Sequence, residues 1–346
     1  MECRFCRNNL GKSILDLGKT PPSNAYLINL NSVKLEKKYP LKLKFCENCY
    51  LVQTKDYNKP EELFTKDYAY FSSTSKYFLN HAKIFTEKII KKSKLNKNSL
   101  IIEIASNDGY LLKNFKSKKI PVLGIEPTKS TYKKSIDLKI PTINKFFSYK
   151  LSQKIIKNYK KADLIIANNV FAHVPDINDF TKGVKNLLNT KGTTTIEFPH
   201  LLNLVKYNQF DTIYHEHYSY LSVNFLKKIF DKFDLKIYDV RKINTHGGSL
   251  RVYVCHKSFK EKKISSKVKT ILNEEVRNGL LNKKKYLSLA NNALKVKKEF
   301  INFLNKVKNE NKTVVAYGAA AKGNTFLNYC NIDNSLIKYV CDAAKS

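Results

Sequence analysis

Apolar side chains recur at Phe78, Leu79, Ala82, Phe85, Ile89 and Ile90, the three-to-four spacing of one helix face. Ser73, Thr74 or Ser75 can cap this helix. The period then changes. "SLIIEIASNDGYLLKNF" reads as a buried strand, a tight turn and a helix start, and "IPVLGIEPT" as a second strand ending in Glu126. "ADLIIANNVFAHVPD" and "KGTTTIEFPH" add two more strands, and "FDLKIYDVRKI" with "GSLRVYVCHK" predicts a late hairpin. Strands alternating with helices predict a doubly wound, mostly parallel sheet. Ligands of such sheets bind beyond the carboxyl ends of the strands. Residues 258–310 are lysine-rich and helical in pattern. "NKTVVAYGAAAKGNTFLNYC" then gives a strand, a Gly/Ala turn and a helix start, and "IKYVCD" the next strand.

A length of 346 residues exceeds one ordinary core and predicts two or three domains. No window approaches 18 uninterrupted apolar residues, so no membrane span or membrane partner is expected. The first residues, "MECRFC", lack a charged-then-apolar leader pattern, so a cytoplasmic location is expected. Four of the seven cysteines fall in CxxC pairs, Cys3 with Cys6 and Cys46 with Cys49. Four such thiolates suit a tetrahedral zinc site with no open position, hence a structural metal. The net charge of +34 admits an anionic partner, but the lysines are scattered and form no arginine-rich stripe.

Two strand ends carry the chemistry of a cofactor site. Ala105, Ser106 and Gly109 in "EIASNDGYLL" let backbone approach a ligand closely, and Glu126 follows Glu103 at a distance suited to ribose hydroxyls. The GxGxxG that seats a pyrophosphate is absent, which disfavours a dinucleotide. S-adenosylmethionine has no pyrophosphate and tolerates a looser turn.

"EIASNDGYLL", "GIEPT", "NNVFAHVPD", "YHEHYSYLS", "HGGSLRVYV" and "AYGAAAKGNTFLN" stand in this order behind the two CxxC pairs. Together they resemble the nucleotide-sugar C-methyltransferases of deoxysugar pathways. The resemblance implies an α/β fold with three parts. A small zinc-binding domain spans 1–75, a class I S-adenosylmethionine methyltransferase domain with a Rossmann-like doubly wound sheet 76–257, and a Rossmann-like carboxyl-terminal domain 258–346. Family members continue past the last residue here, so that third domain is expected to be short or truncated. The implied substrate is a dTDP-linked keto-sugar, methylated on a carbon beside its ketone, and the chain is expected to act as a monomer. By resemblance, Glu103, Ala105, Ser106, Asn107, Gly109, Glu126 and Asn169 hold S-adenosylmethionine. Active-site positions fall on His173, Tyr214, Glu216 and His217, with Tyr70, or its rival Tyr68, on a closing segment.

The chemistry can also be built from the residues. Carbon beside a ketone becomes a nucleophile only as an enolate, so the site needs a base and a donor to the enolate oxygen. In "YHEH", His217 is the expected base, Tyr214 the enolate partner and Glu216 a sugar or histidine-orienting contact. Alternate residues of an extended stretch share a face, so a turn is needed to bring Tyr214, Glu216 and His217 together. A metal site on His215 and His217 lacks a third ligand, and HExxH is absent.

The small-residue turn at Gly318, Lys322, Gly323 and Asn324 is a natural seat for a nucleotide diphosphate, although it lacks the GK[ST] of a P-loop. Two other readings compete. One is a zinc-containing RNA methyltransferase, which fits the charge but has no NPPY-type base-flipping motif. The other is a sugar-nucleotide-binding protein with a decayed site, which the intact Glu126 and Tyr214–His217 set disfavours.

Overall fold

The computed structural model describes residues 1–25, 27, 29–64 and 71–342. Contacts divide them into two compact units. One combines Met1–Leu63, His200–Ser222 and Glu274–Ser346; the other combines Phe64–Pro199 and Val223–Asn273. In chain order the strands are β1 (Leu15–Thr20), β2 (Tyr39–Phe45), β3 (Val52–Gln53), β4 (Ile101–Ile104), β5 (Val122–Ile125), β6 (Thr142–Ile143), β7 (Ala162–Asn168), β8 (Leu188–Pro199), β9 (Ser219–Tyr220), β10 (Leu235–Ile243), β11 (Ser249–His256), β12 (Ala316–Tyr317) and β13 (Val340–Cys341).

The second unit holds a seven-stranded sheet in the order β10-β11-β8-β7-β4-β5-β6. Neighbours from β8 to β6 run parallel, while β11 is antiparallel to both β8 and β10. From β4 the chain runs outward through β5 and β6, then returns to β7 on the other side. The reversal of strand order therefore lies between β4 and β7, where such sheets open a ligand crevice. The predicted late hairpin is β10–β11. The predicted first helix is Lys76–Ser93, capped by Ser75, whose side chain accepts from the Phe78 N–H. It ends at Lys94 in the left-handed region, φ 52°. Ala82, Phe85 and Ile89 are buried as the spacing predicts, while Phe78, Leu79 and Ile90 are only partly covered. The core around them includes Ile101, Leu112, Phe115, Leu164 and Ile166.

The first unit is built on a four-stranded sheet, β1-β2-β3-β9, antiparallel throughout. β9 comes from the middle of the chain, so the residues 200–222 are stitched into a sheet begun by the amino terminus. The unit's core joins Leu41, Leu43 and Val52 to Leu201 and Ile213, and to Tyr286 and Leu289 of the helix Lys285–Asn309. β12 and β13 pair in parallel, with the helix Ala321–Cys330 between them in sequence, a strand–helix–strand unit of its own. Among the described residues no helix is long and apolar enough to cross a membrane.

Candidate functional site

The four knuckle sulfurs, Cys3, Cys6, Cys46 and Cys49, lie within 4.8 Å of one another, with Cys3–Cys49 and Cys6–Cys46 each at 3.5 Å. Four thiolates about 2.3 Å from a tetrahedral zinc are about 3.8 Å apart, so the residues fit the metal. Both knuckles are built alike. The Cys3 N–H donates to the Asn8 carbonyl at 2.8 Å, and the Cys46 N–H to that of Leu51 at 2.9 Å. Arg7 and Tyr50, each just past its second cysteine, adopt left-handed φ values of 65° and 69°. Gln53 Nε2 donates to Cys3 Sγ at 3.2 Å. The hydrogen bond from Cys49 lowers the Cys3 thiol, and the same bond, with burial, raises Cys49, so one proton is held between this pair.

In the second unit the turn after β4 is under backbone strain. Ala105 and Asn107 both lie in the left-handed region, at φ 56° and 50°, as does Asn169 after β7 at 53°. Such residues away from glycine cluster at ligand sites. Gly109 has φ 78°, and a Cβ there would come within 2.5 Å of Ile140 Cδ1. Glu126, directly after β5, fixes the turn: its Oε2 accepts from the Asn107 N–H at 2.8 Å, and its Oε1 from the Thr128 N–H at 2.9 Å and the Thr128 hydroxyl. Glu103, Asp108 and Glu126 place three carboxyl groups around these turns, all buried. Burial, then Asp108 and Glu126, pushes Glu103 well above the usual carboxylate range. Burial also raises Glu126, against the hydrogen bonds from Thr128 and Asn107. The buried atoms Glu103 Oε2, Ser106 Oγ, Asn168 Oδ1 and Asn169 Oδ1 have no partner among the described residues. Buried acids and orphaned oxygens suit a cationic ligand that also carries hydroxyl donors, as S-adenosylmethionine does. His173 ends a short 3-10 turn and meets the Phe64 ring edge-on at 5.6 Å.

In the first unit "YHEH" forms a turn, with the His217 N–H donating to the Tyr214 carbonyl at 3.0 Å. The turn expected in this stretch is present. It stacks the Tyr214 and His217 rings with centroids 4.0 Å apart. His217 Nδ1 lies 3.0 Å from the Thr212 carbonyl oxygen, which can only accept. Nδ1 therefore carries a hydrogen, so the neutral form of the ring has its lone pair on Nε2. Glu216 is buried, and its Oε1 accepts from Asn24 through the backbone N–H at 3.1 Å and Nδ2 at 3.2 Å. Burial raises the pKa of this carboxyl above the ordinary carboxylate value. His215 faces away from this set: it is buried with Tyr39 edge-on at 6.0 Å, and burial lowers its affinity for a proton. Tyr68 and Tyr70 lie outside the described residues.

The zinc knuckle supports the turn directly. Thr54, next to β3, donates from Oγ1 to the His217 carbonyl at 3.0 Å and from its N–H to that of Tyr218 at 3.1 Å. Arg4, inside the first knuckle, donates to the Thr54 carbonyl at 2.8 Å and packs 5.3 Å from the Tyr218 ring centroid.

At the carboxyl-terminal turn Gly318 has φ 101°, a conformation that excludes side chains, and Gly323 lies just inside the following helix. Lys322 is close enough to Asp211 to oppose the rise that burial causes in the Asp211 carboxyl. Asn324 donates to the Ser23 carbonyl at 2.9 Å. Asp342, directly after β13, accepts from the Ala319 N–H at 2.6 Å. That bond repeats the Glu126–Asn107 arrangement: an acid beyond the second strand holds the turn beyond the first.

Sequence reasoning missed Ser23, Asn24, Thr54, Thr212 and Asp342. Only Asp342 had a signal, as an acid ending a second predicted strand. The others act through backbone groups or through partners far along the chain.

Three family models match. A zinc binding domain covers residues 3–64, a methyltransferase domain 77–240 and a C-methyltransferase C-terminal domain 244–346. The C-methyltransferase NovU of Streptomyces niveus is 29% identical over 341 residues, which cover 99% of this chain and 81% of that protein. Solved structures with a similar fold include an S-adenosylmethionine-dependent methyltransferase of Clostridium acetobutylicum, 14% identical, covering 51% of this chain and 92% of that one, TM-score 0.41. A protein of Pyrococcus horikoshii is 13% identical, covering 59% and 99%, TM-score 0.44. Sheet order, strained turns and the methyltransferase match define an S-adenosylmethionine-dependent methyltransferase. With a zinc binding domain match ahead of it and a C-methyltransferase C-terminal domain match behind, the chain is similar to C-methyltransferases in all three parts.

Proposed function

We propose that the protein methylates a carbon beside the ketone of a nucleotide-linked deoxysugar. S-adenosylmethionine supplies an electrophilic methyl group. The work of the chain is to make carbon nucleophilic and to hold both ligands. The observation that carries this reading is His217 itself. Its Nδ1 is tied to the Thr212 carbonyl, which makes Nε2 the basic nitrogen of the neutral ring, and the Tyr214 ring is stacked against it.

His217 Nε2 removes the proton beside the ketone, Tyr214 donates to the enolate oxygen, and buried Glu216 receives a sugar hydroxyl. By the family resemblance, His173 and Tyr70 are further candidate catalytic residues. Glu126 takes the ribose hydroxyls, while Glu103, Ala105, Ser106, Asn107, Gly109 and Asn169 shape the rest of the cofactor seat. Gly318, Lys322, Gly323 and Asn324 hold the diphosphate, and Asp342 suits the nucleoside ribose by its likeness to Glu126. The RNA methyltransferase reading shares the zinc knuckle and methyl-donor fold, and the net charge is what would set it apart.

The test is isotopic. Protein, dTDP-linked keto-sugar and S-adenosylhomocysteine are incubated in deuterated water, and loss of the acidic carbon proton is followed by NMR. Wild type exchanges it. His217→Asn slows exchange and turnover by about 100- to 10,000-fold, the contribution of a positioned base, and still binds both ligands. Equal exchange in both proteins removes His217 from the base role.

A further inference from the structure

The segment Pro21–Asn24 lies between two functional elements of the first unit. On one side, Ser23 Oγ and Thr325 Oγ1 are 3.0 Å apart, and Asn324 Nδ2 donates to the Ser23 carbonyl at 2.9 Å. On the other, the next residue, Asn24, donates to Glu216 Oε1 through both its backbone N–H and its Nδ2. Ser23, Thr325 and Glu216 are each more than nine-tenths buried, so water cannot readily replace these bonds. The same helix reaches the turn by a second path. Phe326 and Tyr329 pack on Phe210 at 6.1 and 5.4 Å, and Phe210 opens the short 3-10 turn whose last carbonyl, that of Thr212, fixes His217 Nδ1.

We infer that Asn24 is a positioning residue: with Ser23 it forms a strap that couples the helix Ala321–Cys330 to the Glu216 carboxylate and so sets the geometry of the Tyr214–His217 turn. The inference rests on the reading of that turn as the reactive one. It adds that a diphosphate ligand held at the start of the helix is sensed at the base. The strap holds Glu216 in one orientation, because Asn24 donates twice to Oε1 from a fixed direction.

The strap is tested first without ligand, by hydrogen–deuterium exchange of peptides covering 212–218. Asn24→Ala removes the side-chain one of the two Asn24 donors, and Thr325→Val removes the Ser23–Thr325 bond at the other end of the strap. Each speeds exchange of these peptides by about tenfold, and the double variant adds little to either. Asn24→Asp keeps the shape but sets a carboxylate against Glu216, so at pH 8 it perturbs the turn more than Asn24→Ala. If Asn24 merely fills space, the order is reversed and the inference fails. It also fails if Thr325→Val leaves 212–218 unchanged. dTDP is then added as the probe. In wild type it protects 318–326 and 212–218 together, and in Asn24→Ala only 318–326. Protection of both in Asn24→Ala overturns the coupling. Absence of protection at 318–326 in wild type overturns sensing of a diphosphate ligand and the nucleotide-sugar reading, while the ligand-free comparison still decides the strap.

Discussion

Glu126 offers the sharpest test of the cofactor site, because its carboxylate has a second duty. It accepts from the Asn107 N–H at 2.8 Å and the Thr128 N–H at 2.9 Å through different oxygens. Glu126→Gln keeps the shape but leaves one acceptor oxygen. Whichever way the amide is turned, its NH2 faces one of these N–H groups. An unsatisfied buried donor costs about 1–3 kcal/mol, which falls on the strained Asn107 turn or on Thr128. A hydrogen bond from a ligand hydroxyl to a charged acceptor adds about 1.5–3 kcal/mol to binding. Losing it weakens S-adenosylmethionine by roughly 10- to 150-fold. Calorimetric titration of wild type and variant with S-adenosylhomocysteine measures the change, and thermal denaturation without ligand measures the cost to the turn. A folded variant that binds as tightly as wild type refutes the placement of the ribose. Because burial raises Glu126, its proton is released at a higher pH than from an ordinary carboxyl. Binding that needs the carboxylate therefore weakens on acidification from a higher pH than usual.

Metal analysis of protein prepared without added zinc should find about one equivalent per chain, and chelation should loosen peptides at both 1–10 and 212–220, since Arg4 and Thr54 tie the knuckle to the turn. Folded protein free of metal removes the zinc reading. Arg251→Met should destabilise the protein in denaturant unfolding by up to about 3–5 kcal/mol, because the Arg251–Glu197 pair, at 2.5 Å, is buried and Glu197 would be left with only His81 and the Thr245 hydroxyl. Burial raises Glu197, but His81 and Arg251 outweigh it and hold the carboxyl at about 2. With the folded value below the unfolded one, this contribution is present above the ordinary carboxylate range and is lost as pH falls toward 2, a dependence that Arg251→Met should flatten. Glu103 has the opposite sign: its folded value is raised, so the ligand-free protein loses stability as pH rises past the ordinary carboxylate range, and Glu103→Gln should remove that loss in melting curves taken from pH 4 to 8.

The sequence by itself determined the elements whose physics is local. A three-to-four apolar spacing sets the helix around Phe85, and short apolar runs set β4, β5 and β7. A CxxC pair makes a knuckle from six or so neighbouring residues, so the zinc ligands were legible as well. The small residues at Ala105–Gly109 and Gly318 announce turns, because backbone without bulky side chains is what such turns need. Tertiary structure decided how distant segments combine. Residues 200–222 join the amino-terminal sheet because β9 completes the ladder on β3, and no period along the chain encodes that pairing. The protonation pattern of His217 depends on the Thr212 carbonyl, and the orientation of Glu216 on Asn24, a residue 192 positions away. Backbone carbonyls have the same chemistry in every residue, and a lone asparagine has no periodicity. Such partners acquire their roles only when folding removes water and leaves each buried polar atom one neighbour to satisfy it.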